Sequence, residues 1–270
     1  MRTSELIRSR RSVRSFDGTA LSGEEREALL RYAAAVETAW RLPIVWRILD
    51  AKAYGLSSPV ITGTDTYIAG KLQRAPHAEE AFGFAFERVV LYASSLGLGT
   101  TWIAGTMDRA AFERAMELAP GEVMPCVSPL GHAAAKMSLR ETMMRKGVKA
   151  DSRLDFEALF FDESFDKPLT PEAAGACSEV LELVRRAPSA VNRQPWRVLR
   201  CGETLHFYEK KSKGFTGANG WDIQKIDLGI ALCHAACAIE ETGCKAVFSM
   251  EDPGLPHPAD TVYIASVFAG

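Results

Sequence analysis

A weak internal repeat is the feature of this sequence that most restricts its fold. The triplet Ser-Phe-Asp at residues 15–17 recurs at 164–166, an offset of 149 residues, and a potential helix start follows each copy. A second set of matches has an offset of 146 and pairs Gly83, Ala85 and Gly97 with Gly229, Ala231 and Gly243. Because self-similarity at nearly the same offset indicates a repeated structural unit, we predict two related copies, 1–158 and 159–270, packed as one compact protein.

Length and composition fit a globular chain with this organisation. The 270 residues are 47% hydrophobic, which is enough for a sizeable core. Lysine and arginine number 32 against 34 acidic residues, and the resulting net charge of -2 gives no general attraction to nucleic acid or to an anionic membrane. The six cysteines do not form a small-domain disulfide framework, and neither a signal peptide nor a membrane-spanning apolar run is evident. We therefore expect a soluble, cytoplasmic protein.

Hydrophobic periodicity predicts a mixture of helices and strands. A helix is expected at 3–9, a capping box at 22–25 starts the next one, and a largely buried helix should cover 79–96 and end at Gly97. Residues 65–72 fit neither pattern. Further predicted elements are a helix at 109–118 and extended segments at 58–62, 100–103, 124–130, 196–199, 205–208 and 261–268.

A basic run near the N-terminus is a candidate phosphate site. Residues 10–14, RRSVR, place three guanidinium groups and one hydroxyl within five residues. Arginine pairs bidentately with phosphate oxygens, and each charge-assisted hydrogen bond contributes about 1.5–3 kcal/mol. Short basic runs are more often solvated surface, so the run taken alone favours that interpretation. We call residues 10–14 the arginine run.

A second candidate ligand-binding stretch is residues 187–196, APSAVNRQPW, which we call the Pro-Trp loop. Its two prolines fix φ and withhold backbone donors, and Ser189, Asn192 and Gln194 offer short polar side chains to a planar polar ligand. The alternative is an ordinary helix-to-strand connection whose polar side chains bond their own backbone. The two interpretations have about equal weight without other evidence.

Together these two stretches resemble the FMN-dependent nitroreductase family, in which such an arginine run holds the flavin phosphate and such a loop lines the flavin. Residues 97–105, GLGTTWIAG, resemble the family's segment beside the isoalloxazine ring, and we call them the glycine segment. Residues 152–154 resemble the place where another basic residue returns to the phosphate. The residues that the resemblance implies for FMN binding are Arg10, Arg11, Ser12, Arg14, Ile103, Ala104, Gly105, Arg153, Pro188, Ser189, Ala190, Asn192 and Gln194.

The resemblance also implies a fold and an assembly. The expected fold is a nitroreductase-like α+β fold with central, mostly antiparallel sheets flanked by helices. Family members are ordinarily homodimers in which one subunit supplies the arginine run and the other the Pro-Trp loop. Because both motifs lie in one chain here, in different copies, we expect an intramolecular pseudo-dimer that is monomeric in solution.

One FMN per chain is expected rather than two. The second copy's counterpart of the arginine run reads LFFDE at 159–163, and Asp162 and Glu163 would repel a phosphate. The first copy's counterpart of the Pro-Trp loop, at 36–46, lacks the ligand-facing polar residues. Each copy therefore contributes half of a single predicted site.

The implied activity is electron transfer from NAD(P)H through bound FMN to nitro compounds, quinones or a similar small acceptor, by a ping-pong mechanism. FMN supplies the chemistry, so we nominate no catalytic acid, base or nucleophile. An alternative of a different class is a flavin-binding carrier or sensor without turnover. Oxygen-dependent flavin chemistry and reductive dehalogenation are also open within the wider family.

Three other sequence features carry less weight. Cys233, His234 and Cys237 could suggest a metal, but cysteines four apart on an apolar helix are usually core, so we predict no metal site. No Gly-x-Gly-x-x-Gly opens a helix after a strand, which argues against a Rossmann dinucleotide site. The lysines at 210, 211 and 213 indicate a solvated loop, with attraction of a nicotinamide cofactor's phosphate as the alternative.

Overall fold

The chain divides into two compact units. The computed structural model describes residues 1–217 and 220–270. The N-terminal unit is Ser9–Lys149, and the C-terminal unit joins Met1–Arg8 to Ala150–Gly270. These limits differ from the predicted copies, 1–158 and 159–270, because the start of the chain and residues 150–158 group with the C-terminal unit. The first helix, α1 (Thr3–Ser9), has the predicted bounds.

The N-terminal unit is a four-stranded sheet with helices. Its elements are α2 (Gly23–Ala35), β1 (Val45–Asp50), α3 (Ala51–Tyr54), β2 (Thr66–Gln73), α4 (Ala78–Ser95), α5 (Arg109–Ala115), β3 (Glu122–Val123), β4 (Val127–Leu130) and α6 (Leu139–Gly147). Strand β2 pairs antiparallel with β1, β3 and β4. The predicted capping box is present, since Ser22 and Glu25 each accept a hydrogen bond from the other's backbone N–H.

The C-terminal unit contains a six-stranded sheet. Its elements after α1 are α7 (Phe156–Leu159), β5 (Phe160–Asp162), β6 (Ser164–Pro168), α8 (Pro171–Ala174), α9 (Ser178–Arg185), β7 (Trp196–Cys201), β8 (Thr204–Lys210), α10 (Ile223–Glu241), β9 (Ala246–Ser249) and β10 (Thr261–Ala269). The strand order is β6-β5-β7-β8-β10-β9, and only the β5–β7 pairing is parallel. Both sheets are therefore mostly antiparallel, and the α+β class is confirmed.

The two units share a connectivity around their long helices. In each, a central strand pairs antiparallel with the strand before it and with a later strand, and the long helix follows the central strand: β2 precedes α4, and β8 precedes α10. Gly97 and Gly243 follow these helices with φ of 78° and 89°, a left-handed backbone that favours glycine. A duplication would produce this match, and the duplication itself stays a prediction.

Two sequence expectations differ from the structure. The strand predicted at 58–62 is wrong: the segment is a turn in which Ile61 N–H donates to Ser58 O at 3.2 Å, and only Thr62 forms an isolated bridge. Residues 65–72, which fitted no pattern, lie largely in β2. That strand is buried on both faces over seven of its eight residues, so it lacks the alternation that marks a half-exposed strand. No helix in the described ranges is long and apolar enough to cross a membrane.

Candidate functional site

The predicted FMN-binding residues fall on both units, and each group is organised within its own unit. The arginine run and the end of the glycine segment lie in the N-terminal unit, whereas Arg153 and the Pro-Trp loop lie in the C-terminal unit. None of the thirteen residues lies in the undescribed positions 218 and 219.

Backbone pairing places the arginine run beside the glycine segment. Ser12 forms a parallel bridge with Thr100, and the Val13 N–H donates to Thr100 O at 2.8 Å. On the other side, the Thr62 N–H donates to Arg14 O at 3.0 Å. The run is therefore an extended segment whose backbone is held from two sides. The structure thus brings together two of the three predicted flavin-binding stretches.

A buried carboxylate on α4 joins the same two stretches. Glu87 has no exposed side-chain surface, and its Oε2 accepts a hydrogen bond from Trp102 Nε1 at 3.0 Å. Its Oε1 lies 3.6 Å from Arg10 Nε, and the Arg10 side chain is only 6% exposed. Sequence reasoning did not select Glu87. The available signal was an acidic residue within an otherwise apolar helix, since such a charge must be paired.

Arg10 has unsatisfied hydrogen-bonding capacity that an anion would complete. Its Nε and Nη1 atoms are buried, and neither makes a hydrogen bond in the described part of the chain. The contact with Glu87, at 3.6 Å, is an ion pair that is too long for a hydrogen bond. Buried guanidinium nitrogens without acceptors are costly, and phosphate oxygens match their geometry. The arginine run therefore fits the phosphate of FMN, whereas Arg11 is exposed.

Arg14 adds a second partly buried cation to this group. Burial lowers the pKa of Arg14. Glu141 opposes this shift by a smaller amount, and Arg145 adds to it. The buried Glu141 also accepts a hydrogen bond from the Arg14 backbone N–H at 3.3 Å. Because desolvation is the largest effect, a bound anion near Arg14 would stabilise its charged form.

The end of the glycine segment has a rigidly held backbone with an open surface. Ile103 and Val127 exchange two backbone hydrogen bonds of 2.9 Å. Arg109 donates to Ala104 O at 2.9 Å and to the carbonyls of two β4-flanking residues, Met124 at 2.8 Å and Pro125 at 3.1 Å. A methyl group added at Gly105 would meet no atom within 4 Å. A planar ligand can therefore approach the backbone closely at this position.

The Pro-Trp loop contains unusual backbone strain. The backbone φ angles of Val191, Asn192 and Gln194 are 44°, 58° and 51°. These values lie in the left-handed region, which residues other than glycine seldom adopt. Val191 is β-branched, so its conformation is the most unfavourable of the three. Each such residue costs on the order of 1–3 kcal/mol, and concentrated strain of this kind is typical of ligand-binding segments. This observation favours a binding loop over a simple connection.

Side-chain hydrogen bonds hold the strained loop in place. The Ala190 N–H donates to both carboxylate oxygens of Asp227 on α10, each at 3.1 Å. Ser189 Oγ accepts from the Gln194 N–H at 2.9 Å, and Gln194 Oε1 accepts from the Leu154 N–H at 2.9 Å. Gln194 is only 2% exposed, so in this structure its amide braces the loop. Pro188 is half-buried at the loop's start.

Asp227 lies in an acidic environment beneath the loop. Burial raises the pKa of Asp227 well above its ordinary value, and the hydrogen bond from Ala190 partly opposes this shift. Asp222 and Glu209 also raise it. The pKa of Glu209 rises to about 7, mainly through burial and then through Asp222. Sequence reasoning missed Asp227, although an aspartate in the apolar helix α10 was a usable signal.

Arg153 and Asn192 connect the Pro-Trp loop to the segment at 150–154. The Arg153 guanidinium donates to the carbonyls of Ala150 at 3.0 Å, Ser152 at 2.7 Å and Arg186 at 3.2 Å. Asn192 Nδ2 donates to Ser152 O at 3.1 Å. These bonds order the chain next to the loop, and a contact of Arg153 with the phosphate stays a prediction.

The acidic residues at 162 and 163 occupy the end of strand β5. Asp162 accepts hydrogen bonds from Lys167 and Arg200, and these bonds lower its pKa. Glu163 accepts from the Gly202 backbone N–H at 2.9 Å. The two carboxylates thus have cationic or backbone partners inside their own unit. That this stretch cannot serve as a second phosphate site stays a prediction.

Comparisons with known proteins agree with the sequence resemblance. Residues 2–239 match a protein family described as "Putative TM nitroreductase". A solved structure from Thermotoga maritima, described as a "putative nitroreductase", is similar to 99% of this chain and 94% of its own, with 21% identity and a TM-score of 0.65, which shows a shared fold. No curated protein matches the chain.

Two further solved structures match about half of the chain. A nitroreductase family protein from Clostridium novyi has 17% identity and a TM-score of 0.43, with 50% of this chain and 87% of its own covered. An FMN-dependent nitroreductase from Clostridium difficile has 15% identity and a TM-score of 0.42, with 52% and 94% covered.

Proposed function

The chain belongs to the family described as "Putative TM nitroreductase", and on this basis we propose that it is an FMN-dependent NAD(P)H oxidoreductase. Its acceptors are nitro compounds, quinones or similar small molecules, and its kinetics are ping-pong. The proposal includes a single FMN per monomeric chain, with the arginine run and the Pro-Trp loop contributing to the same flavin. A duplicated origin of the two units is part of the proposal.

The buried Arg10 side chain is the observation that carries this proposal. Its Nε and Nη1 atoms are buried without hydrogen-bond partners, although the neighbouring Glu87 is close enough for an ion pair. A purely structural arginine would satisfy these nitrogens with nearby carbonyl groups, as Arg109 does in the same unit. A bound phosphate supplies the missing acceptors.

The chain's own residues have binding and orienting roles in this proposal. FMN, when bound, would supply the chemistry of hydride and electron transfer between the nicotinamide and the second substrate. Arg10, Ser12 and Arg14 hold the phosphate, and the Pro-Trp loop lines the flavin. The backbone N–H groups of Ala104 and Gly105 would donate hydrogen bonds that stabilise negative charge on the reduced ring.

Anaerobic absorption spectroscopy tests the proposed reaction. The protein reconstituted with FMN is expected to lose its visible flavin absorption on addition of NADPH or NADH, and to regain it on addition of a quinone or a nitroaromatic compound. Initial rates with both substrates varied should give parallel double-reciprocal lines. Bound flavin that neither nicotinamide bleaches would contradict the enzyme and support a carrier or sensor.

Gly105→Ala separates ligand binding from protein stability. The added methyl group has open space within the protein, so the melting temperature of the FMN-free chain should stay within about 2 °C of the wild type. A flavin ring packed on this backbone would meet the methyl group, and we expect the FMN dissociation constant to rise about tenfold. Fluorescence titration with FMN measures the effect. Unchanged FMN affinity would show that the ring does not approach Gly105.

Gly63→Ala provides a matched control for the same substitution. A Cβ at Gly63 would lie 2.0 Å from the backbone oxygen of Phe16, and φ there is 82°. This variant is therefore expected to lose stability, and only its melting temperature is compared with that of Gly105→Ala, because Thr62 next to it holds Arg14. A fall in stability at Gly63 with none at Gly105 would confirm that the Gly105 surface is open.

A further inference from the structure

A cluster of cations and one aromatic ring adjoins the Pro-Trp loop in the C-terminal unit. The exposed Arg193, within the loop, donates from Nη2 to Ser212 Oγ at 3.3 Å. Its guanidinium carbon lies 5.8 Å from the centre of the half-buried Phe215 ring. Lys211 and Lys213 flank Ser212 and are exposed. We call Arg193, Lys211, Lys213 and Phe215 the basic patch.

The backbone that carries the basic patch is fixed to helix α10. The Ser212 N–H donates to Gln224 Oε1 at 2.7 Å, and Gln224 is almost fully buried. The Ile223 N–H donates to Phe215 O at 3.1 Å, which ties the ring's backbone to the helix start. The backbone of the patch is therefore preorganised, so a ligand would not have to order this part of the main chain on binding.

The charged side chains of the patch itself are all positive and exposed. Glu209 is fully buried, and Asp260, whose carbonyl accepts from the Lys211 N–H at 3.0 Å, has its carboxylate 3.5 Å from Lys210 Nζ. The half-buried Asp222 caps α10 by accepting from the Gln224 N–H at 3.0 Å. Glu203 lies in the turn between β7 and β8, about 20 Å away along the hairpin. The arrangement is suited to a dianionic group.

We infer that the basic patch binds the adenosine 2′-phosphate of NADPH, and that the enzyme therefore prefers NADPH to NADH. This inference rests on the proposed function. Arg193 and Lys213 provide charge-assisted hydrogen bonds to the phosphate oxygens, and the Phe215 ring offers a face for the adenine. Arg193 directly follows Asn192, a residue predicted to contact the flavin, so the patch adjoins the predicted flavin-binding loop in sequence.

Binding of adenosine 2′,5′-bisphosphate, measured by calorimetry against adenosine 5′-monophosphate, tests the patch without turnover. The bisphosphate is expected to bind about tenfold more tightly, and Arg193→Ala and Lys213→Ala should each remove most of this difference. Phe215→Ala should weaken both nucleotides equally, because both carry adenine. Lys245→Ala is the matched control, since it removes an exposed lysine beyond the opposite end of α10.

Steady-state kinetics give the corresponding result for the enzyme. Lys213→Ala should lower kcat/KM for NADPH about tenfold and change kcat/KM for NADH less than about twofold. Equal binding of the two adenine nucleotides, or unchanged discrimination in both cation variants, would overturn the inference. Bound flavin that neither NADPH nor NADH bleaches, with the bisphosphate preference intact, would instead overturn the proposed function alone.

Discussion

Replacing Arg10 with alanine is expected to lower the free energy of unfolding of the FMN-free protein by about 3–5 kcal/mol. The substitution removes the ion pair of Arg10 with Glu87, whose side chain has no exposed surface. Losing one member of a buried pair costs more than losing both, since the remaining charge keeps its desolvation penalty. Urea denaturation followed by circular dichroism measures this loss.

Two further variants separate this effect from a general sensitivity of the arginine run. Arg11→Ala removes the neighbouring, exposed arginine and should change the free energy of unfolding by less than about 0.5 kcal/mol. The double variant Arg10→Ala with Glu87→Gln removes both charges and should recover a large part of the stability. Equal losses for Arg10→Ala and Arg11→Ala would contradict the buried pair.

Asp227→Ala is expected to weaken FMN binding by about 10- to 100-fold, the equivalent of a hydrogen-bond donor left without its acceptor. Ala190 directly precedes the stretch that contains the three left-handed residues, and its N–H would lose its acceptor. Without this anchor, the loop can relax out of its strained conformation, and binding would have to restore it. Fluorescence titration with FMN gives the dissociation constant of each variant.

The conservative variant Asp227→Asn keeps an oxygen that can accept from the Ala190 N–H. Its FMN affinity should therefore lie much closer to the wild type than that of Asp227→Ala. Asp166→Asn, at an exposed site in β6, is the control for the same substitution elsewhere in the same unit. Similar FMN affinities for Asp227→Ala and the wild type would contradict a positioning role for Asp227.

The parts of the site that the sequence predicted are those with compact local motifs. The arginine run and the glycine segment were recognisable because each motif spans at most nine residues, and the structure pairs them through Ser12 and Thr100. Glu87 and Asp227 could not be assigned in the same way. Each acts on a partner far away in sequence, and nothing local identifies which buried acid faces which segment.

The fold shows the same division between local and long-range information. Helix α4 was predicted within one residue at each end, because its apolar sequence and the following Gly97 are local signals. Strand β2 was not assigned, since burial of both faces removes its alternation. The grouping of α1 with the C-terminal unit depends on packing across more than 140 residues, which no local pattern encodes.

Counting the flavin bound per chain tests the central claim most directly. Protein saturated with FMN and freed of excess would be denatured, and the released FMN would be measured by absorption against the protein concentration. We expect one FMN per chain, with the chain monomeric by light scattering of the same sample. Two FMN per chain would contradict the single site, and no binding after reconstitution would contradict the assignment of a flavin enzyme.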